Sequence, residues 1–413
     1  MAKSSSLLPM LIIGILFFIF GFVTWLNGSL IPFLKVICDL NDFEALFVTF
    51  AFYIAYTVMA LPIASLLEKT GYKKGMALGL FMMSVGALLF IPAAFSSEFL
   101  LFLAALFVLG TGLTILQTAS NPYIVLIGPI ESAAMRISIM GLINKSAGVL
   151  APLVFTAFIL SGLSDSLNAV HPDVHELAQE LIAPYTIMAV ILFVLMLFVL
   201  FSPLPEVEFD VDPYDSSNIF AFPHLILGAV ALFFYVGIEV IAGDTIGLYG
   251  QSLGIADATA LTSYTMAFMV LGYILGIVLI PKFLSQERAL IISSLLGMLF
   301  LLGVAFSSTT EAHIFTDIPD SVVFVALLGL ANALVWPTIW PLALQDLKQH
   351  TAKGSALLIM AIAGGALLPL AFGKVAEMLA NMQQAYLLGL VCYFVIFMYG
   401  VKWHKMRSWS ADV

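Results

Sequence analysis

RISIMGLINKSAGVLAPLVF, residues 136–155, and KGSALLIMAIAGGALLPLAF, residues 353–372, align without a gap. The alignment pairs Arg136 with Lys353, Gly148 with Gly365 and Pro152 with Pro369. Other pairs follow at nearly the same shift. LFFIFGF from Leu16 matches LFFYVGI from Leu232, and Gln117, Asn121 and Pro122 fall opposite Asn332, Trp336 and Pro337. One segment used twice in the same order predicts two similar halves, and the composition says in what solvent they fold.

Of 413 residues, 62% are hydrophobic and only 10% charged, with a mean hydropathy of +1.11. Soluble domains carry about 45–50% apolar and about 25% charged residues, so the surroundings of this chain are lipid. A helix needs ~20 apolar residues to cross a bilayer. Apolar blocks of that length recur about every 30 to 35 residues, which predicts an all-α polytopic membrane protein of about twelve spans. The two halves are expected at residues 1–203 and 222–413. Between them LPEVEFDVDPYDSSNIFA, residues 204–221, is acidic, polar and proline-containing, and reads as a linker.

Lys69, Lys73, Lys74, Arg136, Lys282, Arg288, Lys348 and Lys353 fall on alternate turns, on the same side as the tail residues Lys402, Lys405 and Arg407. The opposite loops are acidic, with Lys35 as their main cation. By the positive-inside rule both termini are expected in the cytoplasm. MAKSSSLLPM runs into an apolar block without a small-residue cleavage site, the pattern of an uncleaved first helix. Cys38 and Cys392 have neither a disulfide framework nor metal-ligand spacing, so no cofactor or metal is expected. The net charge of −10 comes with no basic stripe for nucleic acid.

Polar groups in such helices carry the function, because they usually face the bundle interior or a wet cavity. Gln117 and Asn121 stand four apart, on one helical face. Carboxamides donate and accept, as sugar hydroxyls do, so Gln117, Asn121, Asn144, Asn27 and Asn332 are candidate contacts for a neutral polyol, with helix-packing amides as the bland alternative. Lys145 lies nine residues into its helix from Arg136, ~14 Å along the axis and near the midplane of a ~30 Å core. It contacts substrate, replaces a coupling cation, or latches two helices as an ion pair. Trp336 is a candidate platform for the apolar face of a sugar ring. Glu239 and Asp244 are candidate coupling acids. Five residues turn about 500°, so they share a face only if the helix breaks near Gly243. No nucleophile–base pair or metal set falls in register, which argues against an intramembrane enzyme, and no ring-like filter motif argues for a channel.

Two parallel repeats of six helices fit an alternating-access transporter of the major facilitator type. LLEKTGYKKG from Leu66 resembles the basic, glycine-containing cytoplasmic turn of that superfamily. QTASNPYIVLIGP from Gln117 resembles the Q/E-T-A-A-N-P-Y/F signature of the fucose, galactose and glucose:proton symporter family. LNGSLIP from Leu26, GIEV from Gly237 and WPTIW from Trp336 are similar to other blocks of that family, and Gln117 places the chain nearest its glucose/galactose branch. The resemblance implies import of a hexose or hexose derivative across the bacterial inner membrane, coupled to protons, or to sodium, by a monomer in the lipid bilayer. The chain departs from the pattern twice. The family carboxylate of the first helix is Gly28 here, and Lys145 replaces an uncharged residue. Since the repeat sets Asp244 opposite Gly28, the acidic function is expected to have moved to Asp244, with Lys145 as its cycling neighbour. Lys145 also leaves room for a carrier of anionic sugars or small organic acids, and Gly28 for an uncoupled facilitator.

Overall fold

The computed structural model describes residues 7–127, 133–163, 174–205, 219–280, 283–314, 318–347 and 350–409. Most of the expected linker lies outside them. Among the described residues twelve helices are long and apolar enough to cross a membrane, and the chain divides into two compact units, Met1–Phe209 and Asp210–Val413. Large apolar side chains such as Leu100, Phe201 and Phe306 are exposed. Tyrosines such as Tyr56, Tyr235 and Tyr393 are buried instead. That inversion suits a lipid solvent, in which an exposed leucine costs nothing and a polar group must find its partner inside.

In the first unit the first span, Leu8–Ile37, is divided by a slight irregularity at Leu26, with one helix Leu7–Trp25 and the next Asn27–Ile37, while the Leu26 amide still bonds the Phe22 carbonyl at 3.2 Å and its carbonyl accepts from Leu30 at 3.0 Å. Pro32 has no N–H to give to the Gly28 carbonyl, so the ladder is weakened just beyond Leu26. The second and third spans, Asp42–Ala60 and Lys69–Ser96, turn at Gly71, whose φ of 76° a glycine adopts without penalty. The second span opens with a short helix, Asp42–Ala45, on a reciprocal cap, Asn41 accepting from the Glu44 amide and Glu44 from the Asn41 amide. The fourth span is Phe99–Asn121, the fifth Arg136–Ala157 and the sixth His175–Phe201.

In the second unit the seventh span, Pro223–Ser252, is one uninterrupted helix with Pro223 in its first turn, where a missing N–H costs nothing. The eighth, Ala258–Leu279, and the ninth, Gln286–Phe306, precede a tenth span, Asp320–Leu344. That span is split into Asp320–Asn332 and Val335–Leu344. Pro337 cannot bond the Ala333 carbonyl, which fits the break. The eleventh span, Lys353–Leu379, tightens into a 3₁₀ turn at Ala361–Ala363, and Met382–Lys405 is the twelfth.

The two units share a packing rule. A Cβ on Gly21 of the first span would run into the Asn144 carbonyl of the fifth, and one on Gly364 of the eleventh into the Phe233 carbonyl of the seventh. Likewise Gly110 of the fourth span meets the Phe52 carbonyl of the second, and Gly329 of the tenth the Thr265 carbonyl of the eighth. First with fifth, second with fourth: the same pairs close on glycine in each half. Small residues let helix backbones approach to van der Waals contact, the main source of helix attraction in lipid.

Candidate substrate and coupling site

In the first unit the close seam between first and fifth spans sets the register of the polar groups. Phe17, Gly21 and Trp25 lie at i, i+4 and i+8, one strip of the first helix. Asn144 Nδ2 donates to the Phe17 carbonyl at 3.3 Å. Its own carbonyl meets Gly21. One residue on, the Lys145 ammonium sits 4.5 Å from the centroid of the Trp25 indole. Lys145 is 8% exposed and Trp25 2%, so this cation–π contact is largely desolvated. Asn27 and Gly28, just after Leu26, are buried, and the Asn27 Nδ2 and Trp25 Nε1 donors have no hydrogen-bond partner among the described residues.

The second seam does the same for Gln117. Phe52 and Tyr56 are one turn apart on the second span, Gly110 and Gln117 two turns apart on the fourth, and the glycine contact brings the strips together. Gln117 Nε2 donates to the Tyr56 hydroxyl at 2.8 Å. That fixes the carboxamide and leaves its oxygen as an acceptor. Asn121 follows on the same face, half-buried. Arg136 does not belong to this group: its Nε donates to the Ile124 carbonyl at 2.9 Å and closes the C-terminal turn of the fourth helix.

In the second unit Tyr235 and Glu239 stand one turn apart on the seventh span, and the Tyr235 hydroxyl donates to Glu239 Oε1 at 2.7 Å. Tyr273 of the eighth span and Tyr393 of the twelfth lie within electrostatic reach of the same carboxylate. Tyr393 donates to Asn332 Oδ1 at 2.8 Å, holding the amide that ends the first part of the broken tenth span. Beyond the break Trp336 comes within 6.3 Å of the Tyr235 ring, tilted 51°, and stacks on Trp340 at 5.2 Å and 23°. Both indoles are partly exposed.

Asp244 is fully buried, so it is not a solvated residue at an outer helix end. Nor does the helix break at Gly243, whose carbonyl accepts from Thr262 at 2.7 Å. Glu239 and Asp244 therefore point ~140° apart around one straight helix and serve separate places. The sequence reading missed Tyr56, Tyr235, Tyr273, Tyr393 and Trp340. Trp340 alone left a signal, since WPTIW repeats tryptophan at i and i+4.

Among the described residues, twelve apolar helices in two similar units, each with polar side chains folded inward, are the pattern of a polytopic membrane protein. The family model described as Major Facilitator Superfamily matches residues 13–369. The chain is 33% identical over 396 residues to the glucose/galactose transporter of Brucella abortus biovar 1 (strain 9-941), covering 94% of this chain and 92% of that one. It is 28% identical over 430 residues to the L-fucose-proton symporter of Escherichia coli (strain K12), with 98% and 94% covered. Among solved structures it resembles the major facilitator transporter FucP in its outward conformation, with a TM-score of 0.75 at 27% identity, over 96% of this chain and 98% of that one. The chain belongs to the major facilitator superfamily and, within it, to the family of these glucose/galactose and fucose transporters.

Proposed function

We propose that the protein imports a hexose or hexose derivative across the bacterial inner membrane by alternating access, coupled to a proton, with both termini in the cytoplasm and the monomer as the working unit. The observation that carries this reading is the Gln117 carboxamide, fixed by Tyr56 at 2.8 Å with its oxygen left over, beside Asn121. A pre-oriented amide offers a sugar hydroxyl an acceptor at little entropic cost. Asn144 and Asn27 are the further candidates of the first unit, and Asn332 and Trp336 those of the second. The relatives' names support a sugar as cargo, and the symporters among them support the proton. Glu239, Asp244 and Lys145 are the coupling candidates.

A thermal-shift screen of the purified protein against neutral hexoses, N-acetylated amino sugars and uronic acids tests the cargo. Stabilisation by neutral hexoses is expected; stabilisation by acids alone would replace it with the second reading, a carrier of anionic sugars or organic acids. The buried Lys145 favours that second reading. Gly28, where the family carries a carboxylate, favours an uncoupled facilitator, which uptake into vesicles with and without a pH gradient separates from a symporter.

A further inference from the structure

The seventh and tenth spans set a carboxylate and two indoles on either side of one tyrosine. The Tyr235 hydroxyl holds Glu239 at 2.7 Å, while its ring touches Trp336, which stacks on Trp340. Glu239 is 7% exposed, and the indoles at the other end of the chain of contacts are more open. Trp336 and Trp340 stand at i and i+4 on the short helix Val335–Leu344, so together they present one broad aromatic face.

We propose that Tyr235 is the positioning residue that links a pyranose ring stacked on the Trp336–Trp340 face to protonation of Glu239. The inference rests on the sugar-symport reading above and deepens it by naming the coupling acid and the route to it. Tyr235 on its own helix, Tyr273 on the eighth span and Tyr393 on the twelfth are titratable groups that face Glu239. Three ionisable groups on the packed elements are held elsewhere. Lys374 of the eleventh span pairs with Glu377 at 2.8 Å in an exposed contact, and His404 at the end of the twelfth reaches Glu287 at 3.1 Å. Asp320 opens the tenth span ~18 Å along the axis from Asn332 and is held by His313. Asp244 lies around the other side of the seventh helix.

The physical link is short. An O–H···O⁻ bond is strong and depends steeply on distance and angle, so a small displacement of the Tyr235 ring changes how well it holds the carboxylate. A carboxylate in an apolar bundle keeps its charge through such donors; when one is drawn away, the neutral acid is favoured and Glu239 takes a proton from the aqueous side. A sugar that seats on Trp336 and shifts Tyr235 therefore promotes proton binding. By linkage the bound proton promotes sugar binding by the same factor. No covalent step is involved; one proton is taken up and one released per cycle.

The test uses the full chain in proteoliposomes, with labelled D-glucose and D-galactose as probes, measuring equilibrium exchange and uptake driven by an inside-alkaline gradient. In Glu239→Gln and in the nearly isosteric Tyr235→Phe, gradient stimulation is expected to fall by about tenfold or more, the factor that a hydrogen bond to a charged group carries, while exchange continues. Trp340→Leu is expected to raise the exchange KM roughly three- to tenfold and to keep its gradient response. Lys374→Gln, on the surface, matches the parent in both assays. Gradient stimulation in Tyr235→Phe equal to the parent's overturns the proposal and leaves sugar symport standing. So does loss of exchange as complete as loss of driven uptake, which marks a purely structural role. A parent that exchanges neither sugar sinks the sugar reading itself, and one that exchanges them with no gradient response sinks the coupling.

Discussion

The ammonium of Lys145 rests 4.5 Å from the centre of the Trp25 indole, inside the first unit and nearly out of reach of solvent. A charge at this depth is tolerated only where the protein supplies partners, and the ring face is one of them. A double-mutant cycle of Trp25→Leu and Lys145→Met, read by thermal unfolding in detergent, is expected to give a coupling of about 1–2 kcal/mol, the range of a desolvated cation–π pair. Strict additivity of the two substitutions would mean that the contact carries no energy.

The glycine seams predict a second set of variants. Gly21→Leu and Gly364→Leu each force a side chain into a neighbouring carbonyl, at Asn144 and Phe233. Each is expected to cost about 1–3 kcal/mol or more, the usual penalty of overpacking, and to lower the melting temperature. Gly71→Ala meets no atom within 4 Å and is strained only through its φ of 76°. With ψ at 170° the residue lies in a region essentially reserved for glycine, so the substitution should cost about 1–3 kcal/mol through the backbone alone. A larger side chain should add little at Gly71 and much at Gly21 and Gly364; the same dependence on size at all three sites would contradict the distinction.

Tyr56→Phe removes the acceptor of the Gln117 amide and little else. Sugar affinity, measured by titration calorimetry, is expected to fall by about 0.5–1.5 kcal/mol, the net value of one hydrogen bond, because Gln117 is no longer pre-oriented. Unchanged affinity would place Gln117 outside the binding site.

On the loop between ninth and tenth spans, His313 Nδ1 lies 2.9 Å from Asp320 Oδ2. The hydrogen bond to Asp320, then its charge and that of Glu311, raise the His313 pKa above its ordinary value. A raised imidazole stabilises the fold fully below the unfolded value of about 6.5 and ceases to do so as pH rises through the higher folded value. Parent and His313→Gln should therefore differ in melting temperature in mild acid and converge in alkali. A gap that widens with pH would refute the assignment.

How much of this was legible in the sequence depends on which kind of signal each residue leaves. The spans were, because twenty apolar residues in a row have one reading, and Gln117 stood out as a candidate, a carboxamide where hydrocarbon rewards none, whose part in binding the Tyr56 variant tests. Tyr56, Tyr235, Tyr273 and Tyr393 were not, since a tyrosine in an apolar helix is compositionally ordinary. Its meaning comes from the partner that tertiary packing sets opposite its hydroxyl. Glu239 and Asp244 show the other limit. Their spacing fixed the angle between them once the helix was known to be straight, but the sequence around Gly243 does not say whether it is. Trp340 was visible in WPTIW, yet only the stack on Trp336 makes it part of one face.

Carbonyl against glycine, as at Gly21 with Asn144 and Gly364 with Phe233, leaves no side chain between two helices. A seam without rotamers has nothing to rearrange: it can open, at the loss of all its contact, or hold. Each first-and-fifth pair of helices therefore travels as a single beam along its glycine seam, and the places left to bend are those where the regular ladder lapses, at Ala333–Leu334, ahead of Pro337, and in the 3₁₀ turn Ala361–Ala363.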